Sequence, residues 1–583
     1  KEVPNGPGKA TRLTMDIQRI LLIFGLAVTA YLLIHAWNED YRRPASVENI
    51  EPQTRTVQPA ALPEEQLPVT AGRLEDELPT VQIEELPKVE SEQRFTQPDT
   101  MTTKSAQQIV KVTTDTFNVW IDRRGGDITQ IALPLYPAAL ETPDIPFILI
   151  DPRNSYEGQS GLVGENGPDG SQSGRPLYRT VATSYELGDS TELEVEFAFQ
   201  DSAGVQIVKR FTFYRDSYLF DVDFDISNNT DELWQGNFFA QIKRDGQVPA
   251  FVEESGMGLR PYVGGATFTV DSPYFKLEFD DVAEEPYKEE IQGGYIAMVQ
   301  HYFVAAWIPK DEHQYSYQAR KLPDKDLYYM AYTGPVFTVE PGGFGSYGAH
   351  FYAGPKDQYK LKEIAKGLDL TVDYGFLWWI AQPLFGLLTI IHGFVGNWGV
   401  AIILLTMLVK ALLYPLSAAS FKSMAKMRKL QPEMQRLKER LGDDRQQLSQ
   451  AMMDLYKKEG ANPLGGCLPI MLQMPVFLAL YWTLMESVEL RQAPFALWID
   501  DLSVMDPYFV LPILMGISMF LTQMMQPEPP DPIQAKVFKM MPIMFTFFFL
   551  WFPSGLVLYW LVNNILSILQ QWLVNRQIAS ATT

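Results

Sequence analysis

The chain has 583 residues and carries 48 Lys and Arg against 70 Asp and Glu, a formal net charge of −22 at pH 7. This length accommodates several domains. The acidic balance argues against DNA as a partner, because phosphate contacts need clustered basic side chains. The charge is also uneven: residues 373–583 contain 15 basic and 14 acidic residues, whereas residues 1–372 contain 33 and 56.

Six apolar segments have the length that crosses a bilayer, about 17–25 residues. We therefore predict a polytopic α-helical membrane domain with six transmembrane helices. In chain order the segments are 20–37, 398–415, 464–485, 508–526, 534–552 and 555–575.

The N-terminal part divides into three predicted regions. Residues 1–14 are interpreted as an upstream extension that precedes Met15. Residues 15–38 are predicted to form an uncleaved signal-anchor transmembrane helix, because no small-x-small cleavage motif follows the apolar stretch. Residues 39–107 are rich in Pro, Glu, Gln and Thr, and their low apolar content predicts a disordered linker.

From about residue 108 the sequence alternates between apolar and polar residues. Phe220, Val222, Phe224 and Ile226 are separated by single aspartates, a pattern that is typical of half-buried antiparallel strands. We predict one large antiparallel β-sandwich over residues 108–355.

An uncharged stretch, residues 374–409, joins this domain to the helices. It is too long for one span of a hydrocarbon core of about 30 Å. Its first part contains Phe376, Trp378 and Trp379, and aromatic side chains of this kind favour the membrane interface. We predict that residues 356–396 are a connector with an interfacial amphipathic helix, and that residues 397–583 hold five transmembrane helices.

Residues 417–462 carry ten basic and six acidic residues between two apolar segments. Apolar residues here recur at helical spacing and include Met424, Met427 and Met452, which predicts a helical hairpin. Its methionines are suited either to contact varied apolar segments or to form the core of the hairpin.

Basic residues mark the cytoplasmic side of membrane proteins. The hairpin at 417–462 is basic, as is the start of the chain, whereas residues 38–372 are strongly acidic. We predict that both termini and the hairpin are cytoplasmic and that the β-sandwich is outside, in the periplasm of a bacterium with two membranes.

Lys410 is isolated in an apolar run. The next charge is Lys422, 12 residues on, which is roughly 18 Å along a helix. A charge near mid-bilayer costs about 2.5 kcal/mol or more unless water or a partner relieves it. Lys410 is therefore predicted to face a wet intramembrane cavity. The alternative is a lysine that a buried carboxylate or carbonyls hold for packing alone.

The sequence shows no P-loop, no HExxH and no GxSxG signature, and its five histidines have no metal-ligand spacing. We expect no catalytic residues, no metal site and no cofactor. A protease pair of Ser554 with Lys410 is disfavoured, because a turn at the outer face and a mid-membrane lysine are too far apart.

Several motifs in residues 373–583 occur together. They are SMAKMR at 423–428 with LQP at 430–432, NPLGGC at 462–467, QMP at 473–475, RQAPF at 491–495 and FPSGL at 552–556. In combination they closely resemble the YidC family of bacterial membrane protein insertases, and the order of anchor, large β domain and five spans is similar to its Gram-negative members.

The resemblance implies a hydrophilic intramembrane groove that carries one positive charge. The groove cation is commonly arginine in bacterial members, and Lys410 is the matching residue here, which keeps the charge but loses the bidentate fork. Thr406 lies four residues earlier on the same helix face. Gln473, Tyr559 and Trp560 match further groove positions, with contacts between helices and simple packing as the alternatives.

The resemblance also implies the function and the partners. Members of the family insert and help fold inner-membrane proteins, alone or with the Sec translocon and its accessory subunits. Nascent inner-membrane proteins would be the clients, the bilayer would be a partner, and the ribosome is a further candidate. The β domain would be supersandwich-like. The location implied is the bacterial inner membrane.

Two other classes of function remain open from the sequence. A channel or transporter would also place a lysine inside the membrane, but one unpaired cation does not indicate a selective path. An enzyme of mutarotase type would need a histidine and an acidic residue in one pocket of the β domain.

We expect the predicted topology to be visible by cysteine labelling. A cysteine placed in residues 108–355 should react with a membrane-impermeant thiol reagent added to cells, because that region is predicted to be outside. A cysteine in residues 422–458 should react only after the inner membrane is opened. External labelling of residues 422–458 would contradict the orientation.

Overall fold

The computed structural model describes residues 108–170, 174–247, 261–441, 444–459, 468–526 and 532–580. The predictions for residues 1–107, namely the extension, the signal anchor and the linker, lie outside the described residues. The described chain contains a β-rich part up to Pro355 and a helical part after it.

The β-rich part is a sandwich of two sheets. Its strands are β1 Ile109–Thr113, β2 Asn118–Asp122, β3 Asp127–Ala139, β4 Thr142–Ile150, β5 Glu157–Val163, β6 Ser184–Glu186, β7 Glu192–Gln200, β8 Gln206–Tyr214, β9 Leu219–Ser227, β10 Trp234–Arg244, β11 Gly264–Thr267, β12 Phe275–Leu277, β13 Tyr287–Gln292, β14 Ile296–Val299, β15 Phe303–Pro309, β16 Gln314–Lys321, β17 Tyr328–Val339 and β18 Phe344–Pro355. A short helix, α1 Phe279–Glu284, lies between β12 and β13.

The strand order is β13-β16-β17-β10-β5-β3-β2-β1-β6 in one sheet, with β4 paired to β3, and β12-β11-β14-β15-β18-β9-β8-β7 in the other. Neighbouring strands are antiparallel, except that β6 runs parallel to β1 at an edge. The predicted antiparallel β-sandwich is confirmed.

The register shows why the alternating sequence folds in this way. Phe211 on β8 lies opposite Val222 on β9, and Phe213 lies opposite Phe220. All four are buried at no more than 1% exposure in the space between the sheets, while the intervening Asp221 points to the other face, as the two-residue period of a strand requires. The sandwich is therefore held by an aromatic core.

The helical part follows directly. Its helices are α2 Gln358–Ile364, α3 Trp378–Val395, α4 Trp398–Leu412, α5 Tyr414–Leu441, α6 Arg445–Glu459, α7 Leu468–Glu486, α8 Val510–Met524, α9 Pro532–Phe548 and α10 Ser554–Ser580.

Length and apolar composition identify two helices among the described residues that can cross a membrane, Gly375–Val395 and Ser554–Ile578. A third candidate is formed by α4 and α5 together, which meet at a bend of 67°. The helical region is confirmed, whereas six transmembrane helices are not, and that number stays a prediction. The interfacial placement of α3 also stays a prediction, because the stretch that contains it is long enough to span.

The bend between α4 and α5 has a local cause. Pro415 is the second residue of α5, and a proline has no N–H to bond the carbonyl four residues earlier, while its ring clashes with that carbonyl. The regular helix therefore stops at Leu412, and Lys410 lies in its last turn.

α5 and α6 form a helical hairpin. The helices pack through Leu430 and Met434 of α5 against Met452, Leu455 and Tyr456 of α6. Asp444 begins α6 by accepting hydrogen bonds from two backbone N–H groups of its first turn, each at 3.0 Å, as an N-cap residue does.

The sandwich contacts the end of α7 through buried polar groups. Lys356 Nζ donates to Glu486 Oε2 at 2.6 Å, with both side chains almost fully buried. His301 Nε2 lies 2.7 Å from the backbone oxygen of Met485. Arg491 Nη2 donates to the Pro137 carbonyl at 2.6 Å. Each of these polar groups loses contact with water and is hydrogen-bonded to a partner across the contact. This requirement for partners favours this one arrangement of the sandwich and α7.

We expect the free energy of unfolding to decrease as the pH falls from about 6.5 toward 3. Burial, with the nearby charges of Lys356 and Arg491, lowers the pKa of His301 to about 3, against about 6.5 for an exposed histidine. In this window the unfolded chain binds a proton that the folded chain excludes, which removes up to about 1.4 kcal/mol per pH unit. Above pH 6.5 the contribution of His301 is constant.

The measurement is thermal unfolding of the full chain in lipid nanodiscs between pH 7.5 and 4.5. His301→Gln keeps a neutral donor and should flatten the pH dependence. His313, whose side chain is 63% exposed, provides the control, and His313→Gln should change the slope less than His301→Gln does. Equal slopes in the His301→Gln variant and the parent chain would contradict this assignment.

Candidate functional site

Lys410 lies in the last turn of α4 and is only 4% exposed. Its Nζ donates a hydrogen bond to Ser567 Oγ on α10 at 2.6 Å. Within the described ranges no carboxylate lies at ion-pair distance from this ammonium, so the lysine contacts a neutral hydroxyl. Its positive charge is therefore not cancelled by any described residue.

Lys410 opens onto a cavity of about 660 Å³ between the helices α4, α5, α7, α8, α9 and α10. The polar lining residues are Lys410, Ser417, Gln473, Thr522, Gln523, Gln526, Asn563, Asn564, Ser567 and Gln571. The other lining side chains are aromatic, methionine, leucine or proline, among them Tyr559 and Trp560. A volume of this size is within the range of ligand-binding cavities.

The cavity is graded in polarity along the helix axes: its lining is more polar at one end than at the other. The loop after α7 contacts the sandwich, and the start of α10 bonds to the same loop at Leu502 and Val504, which fixes the end that faces the sandwich. Gln473 lies near the start of α7 and Gln523 near the end of α8, both at the opposite end. The polar residues thus occupy the half away from the sandwich.

The half toward the sandwich is closed by aromatic rings. The ring of Phe477 lies 4.4 Å from that of Trp560 and 6.3 Å from that of Tyr559, measured between centroids. Phe549 packs against Trp560 at 5.5 Å. Edge-to-face and offset ring contacts of this kind hold a fixed geometry. The indole N–H of Trp560 is buried and has no partner among the described residues.

Four of the predicted groove residues line this cavity together: Lys410, Gln473, Tyr559 and Trp560. Thr406 does not line it. Its hydroxyl donates to the Ile402 carbonyl at 2.7 Å and its side chain is buried, so it satisfies its own helix.

The three predicted hairpin methionines lie in two places. Met424 lines the cavity and packs with Phe421 against Val574 of α10. Met427 and Met452 pack inside the hairpin with Leu430 and Met434. For these two the structure favours the alternative of a hairpin core.

A polar stripe on α10 was missed from the sequence. Asn563, Asn564, Ser567 and Gln571 line the cavity; Asn563 and Asn564 are adjacent, and Ser567 and Gln571 follow at steps of three or four residues, the spacing of one helix face. Asn564 Nδ2 donates to Ser518 Oγ at 3.0 Å, and Gln571 Nε2 donates to the Met525 carbonyl at 3.1 Å. The signal was present, since these are amides and a hydroxyl at helical period inside an apolar segment.

Two families of known description match the chain over most of its length. The family described as "YidC periplasmic domain" matches residues 109–387, and the family described as "60Kd inner membrane protein" matches residues 390–581. Membrane protein insertase YidC of Pseudomonas putida (strain GB-1) is 50% identical over 571 residues, which cover 97% of this chain and 99% of the relative.

The chain belongs to the YidC family. Membrane protein insertase YidC of Stutzerimonas stutzeri (strain A1501) is 49% identical with the same coverage of both chains. Among solved structures, an active YidC insertase with its first transmembrane domain resolved matches at 19% identity and a TM-score of 0.36, over 79% of this chain and 92% of that one. The match to residues 109–387 contains the sandwich, which is the family's periplasmic domain, and the relatives are named as insertases.

We expect the two halves of the cavity to differ in their access to water. In a Cys467→Ser background, which removes the only cysteine of the sequence, Gln523→Cys should react with a hydrophilic thiol reagent at least about tenfold faster than Phe545→Cys, because thiolate forms poorly in apolar surroundings. Both positions line the cavity and are half-buried. Equal rates at the two positions would show that the cavity is not graded.

Proposed function

We propose that this protein is an insertase and chaperone of the bacterial inner membrane, which admits polar segments of incoming membrane proteins into the cavity beside Lys410. The observation that carries this is an ammonium that pairs with no carboxylate among the described residues, on the wall of a cavity that is polar in one half and aromatic in the other. The family membership supports it, since the relatives are named membrane protein insertases.

The polar half of the cavity would shorten the distance through lipid that a charged segment must cross. A charged group at the bilayer centre costs about 2.5 kcal/mol or more, and amide and hydroxyl groups such as Gln523, Asn563 and Gln571 offer it hydrogen bonds instead. Lys410 attracts acidic side chains of the segment. The membrane potential contributes about 2.3 kcal/mol per elementary charge for each 100 mV.

The aromatic half would stop the polar segment from passing straight through and leave the apolar segment to move sideways into lipid. Met474 on α7 and Met541 on α9 both line the cavity, and unbranched Met side chains adapt to varied apolar surfaces. Burial of apolar surface in lipid drives this step. No covalent chemistry and no cofactor are required.

The proposed membrane topology is consistent with this function. Six transmembrane helices, both termini and the hairpin at 417–462 in the cytoplasm, and the sandwich in the periplasm would place the polar half of the cavity on the side from which clients arrive. Clients would be nascent inner-membrane proteins. The Sec translocon with its accessory subunits, and the ribosome, are proposed as partners by resemblance to the family.

The pair of His350 and Asp221 in the sandwich gives no specific support to the enzyme alternative. His350 Nδ1 lies 2.6 Å from Asp221 Oδ1, and Lys310 Nζ lies 3.1 Å from the second oxygen of the same carboxylate. Both carboxylate oxygens are thus engaged in an ion-pair cluster. A channel would need a continuous polar path, whereas the aromatic rings close one half of this cavity.

We expect insertion to depend on the charge at position 410 and on the charge of the translocated tail. Lys410→Arg should retain activity, because charge and reach are kept. Lys410→Ala should reduce insertion of acidic tails by about tenfold and of neutral tails less, and Lys410→Glu should be worse than Ala for acidic tails, because attraction becomes repulsion.

The measurement is insertion of one client that carries acidic, neutral or basic tails, at matched amounts of folded insertase. Lys422→Ala, a charge change in the exposed part of α5, is the control and should have little effect, since single surface charges act weakly. A loss in Lys410→Ala that is equal for all three tails would contradict the electrostatic role of the cavity.

A further inference from the structure

A lysine side chain is a poor choice for a fixed charge, because its ammonium sits on a flexible four-carbon stem. The structure nevertheless holds Lys410 Nζ at 2.6 Å from Ser567 Oγ. The serine hydroxyl has a single hydrogen, and it donates that hydrogen to the Asn563 carbonyl one turn earlier at 2.7 Å. Toward Lys410 the hydroxyl can therefore only accept, so its lone pair is fixed in direction.

The same face of α10 also contacts the backbone of Lys410. Gln570 Nε2 donates to the Lys410 carbonyl at 3.3 Å. This carbonyl belongs to the last turn of α4, where backbone oxygens have no partner inside the helix. Residues 567 and 570 are three apart and share one face of α10, so one helix contacts both ends of the lysine.

We propose that Ser567 is a positioning residue that holds the Lys410 ammonium at the wall of the cavity without cancelling its charge. A carboxylate at this place would hold the lysine more firmly but would neutralise it. A neutral acceptor engages one of the three ammonium N–H groups and leaves two for a carboxylate of the entering chain. The effect on client choice rests on the proposed function, whereas the positioning itself does not.

The positioning is tested on the full chain in nanodiscs by the rate at which Lys410 reacts with an amine reagent, followed by mass spectrometry of the peptide that contains it. Ser567→Ala should raise the rate at least about threefold, because the acceptor stabilises the unreactive protonated amine. Ser567→Thr keeps the hydroxyl and should stay within about twofold of the parent. Ser567→Asp should lower the rate, since a carboxylate retains the proton more strongly.

Thr389→Ala is the matched control. The Thr389 hydroxyl donates to the carbonyl four residues earlier at 3.0 Å, as Ser567 does, but it lies on α3 and does not line the cavity. This variant should leave Lys410 reactivity unchanged. If Ser567→Ala and the parent react at the same rate, Ser567 does not position Lys410 and the proposal is wrong.

Client choice gives the second readout. Ser567→Ala should lower the ratio of acidic-tail to neutral-tail insertion by about threefold to tenfold, Ser567→Thr should restore it, and Ser567→Ala should add nothing in a Lys410→Ala background. An unchanged ratio in Ser567→Ala beside a lowered ratio in Lys410→Ala would overturn the role of Ser567 in selection. If Lys410→Ala itself leaves the ratio unchanged, the proposed electrostatic role of the cavity fails, while the reactivity result still decides the positioning.

Discussion

The cost of burying an ammonium group among apolar helices is the constraint on which the helical part depends. Lys410 lies in a run of apolar residues and cannot be left against lipid without a cost of about 2.5 kcal/mol or more. The helices α4 and α10 reduce this cost, because they enclose the ammonium and place the Ser567 hydroxyl within hydrogen-bond distance of it. The polar stripe of α10 continues along the cavity, where Asn564 and Gln571 donate to α8 and to the residue that follows it.

The break after α4 determines where this charge is placed. Pro415 ends the regular helix two residues beyond Lys410 and allows α5 to leave at 67°. A straight helix would carry α5 on along the axis of α4. With the bend, Ser417, Phe421 and Met424 turn toward α10 and complete the cavity wall. The bend therefore contributes part of one cavity wall.

Much of this architecture could be predicted from the sequence because its signals are local. The alternation around Phe220 specifies strands, and an isolated lysine in an apolar run predicts a polar site among the helices, where the structure has a cavity with polar lining residues. Other features depend on contacts between distant segments. The sequence does not show that Ser567 faces Lys410, which lies 157 positions earlier, and it does not show that the Thr406 hydroxyl is used by its own helix. Length and apolar composition also give different numbers of membrane spans. They give six segments in the sequence, but two helices, or three with the bent pair, among the described residues.

The contact between the sandwich and α7 has a mechanical consequence. Lys356, His301 and Arg491 clamp the Glu486 end of α7 and the loop behind it to a rigid β-structure, and α7 carries Gln473 and Phe477 on the wall of the cavity. The cavity wall that α7 forms is therefore anchored at one end to the sandwich. Under the proposed function, we expect expansion of the cavity for a bulky segment to come from the opposite side, by displacement of α8 and α9, whose outer faces expose Ile517 and Met544.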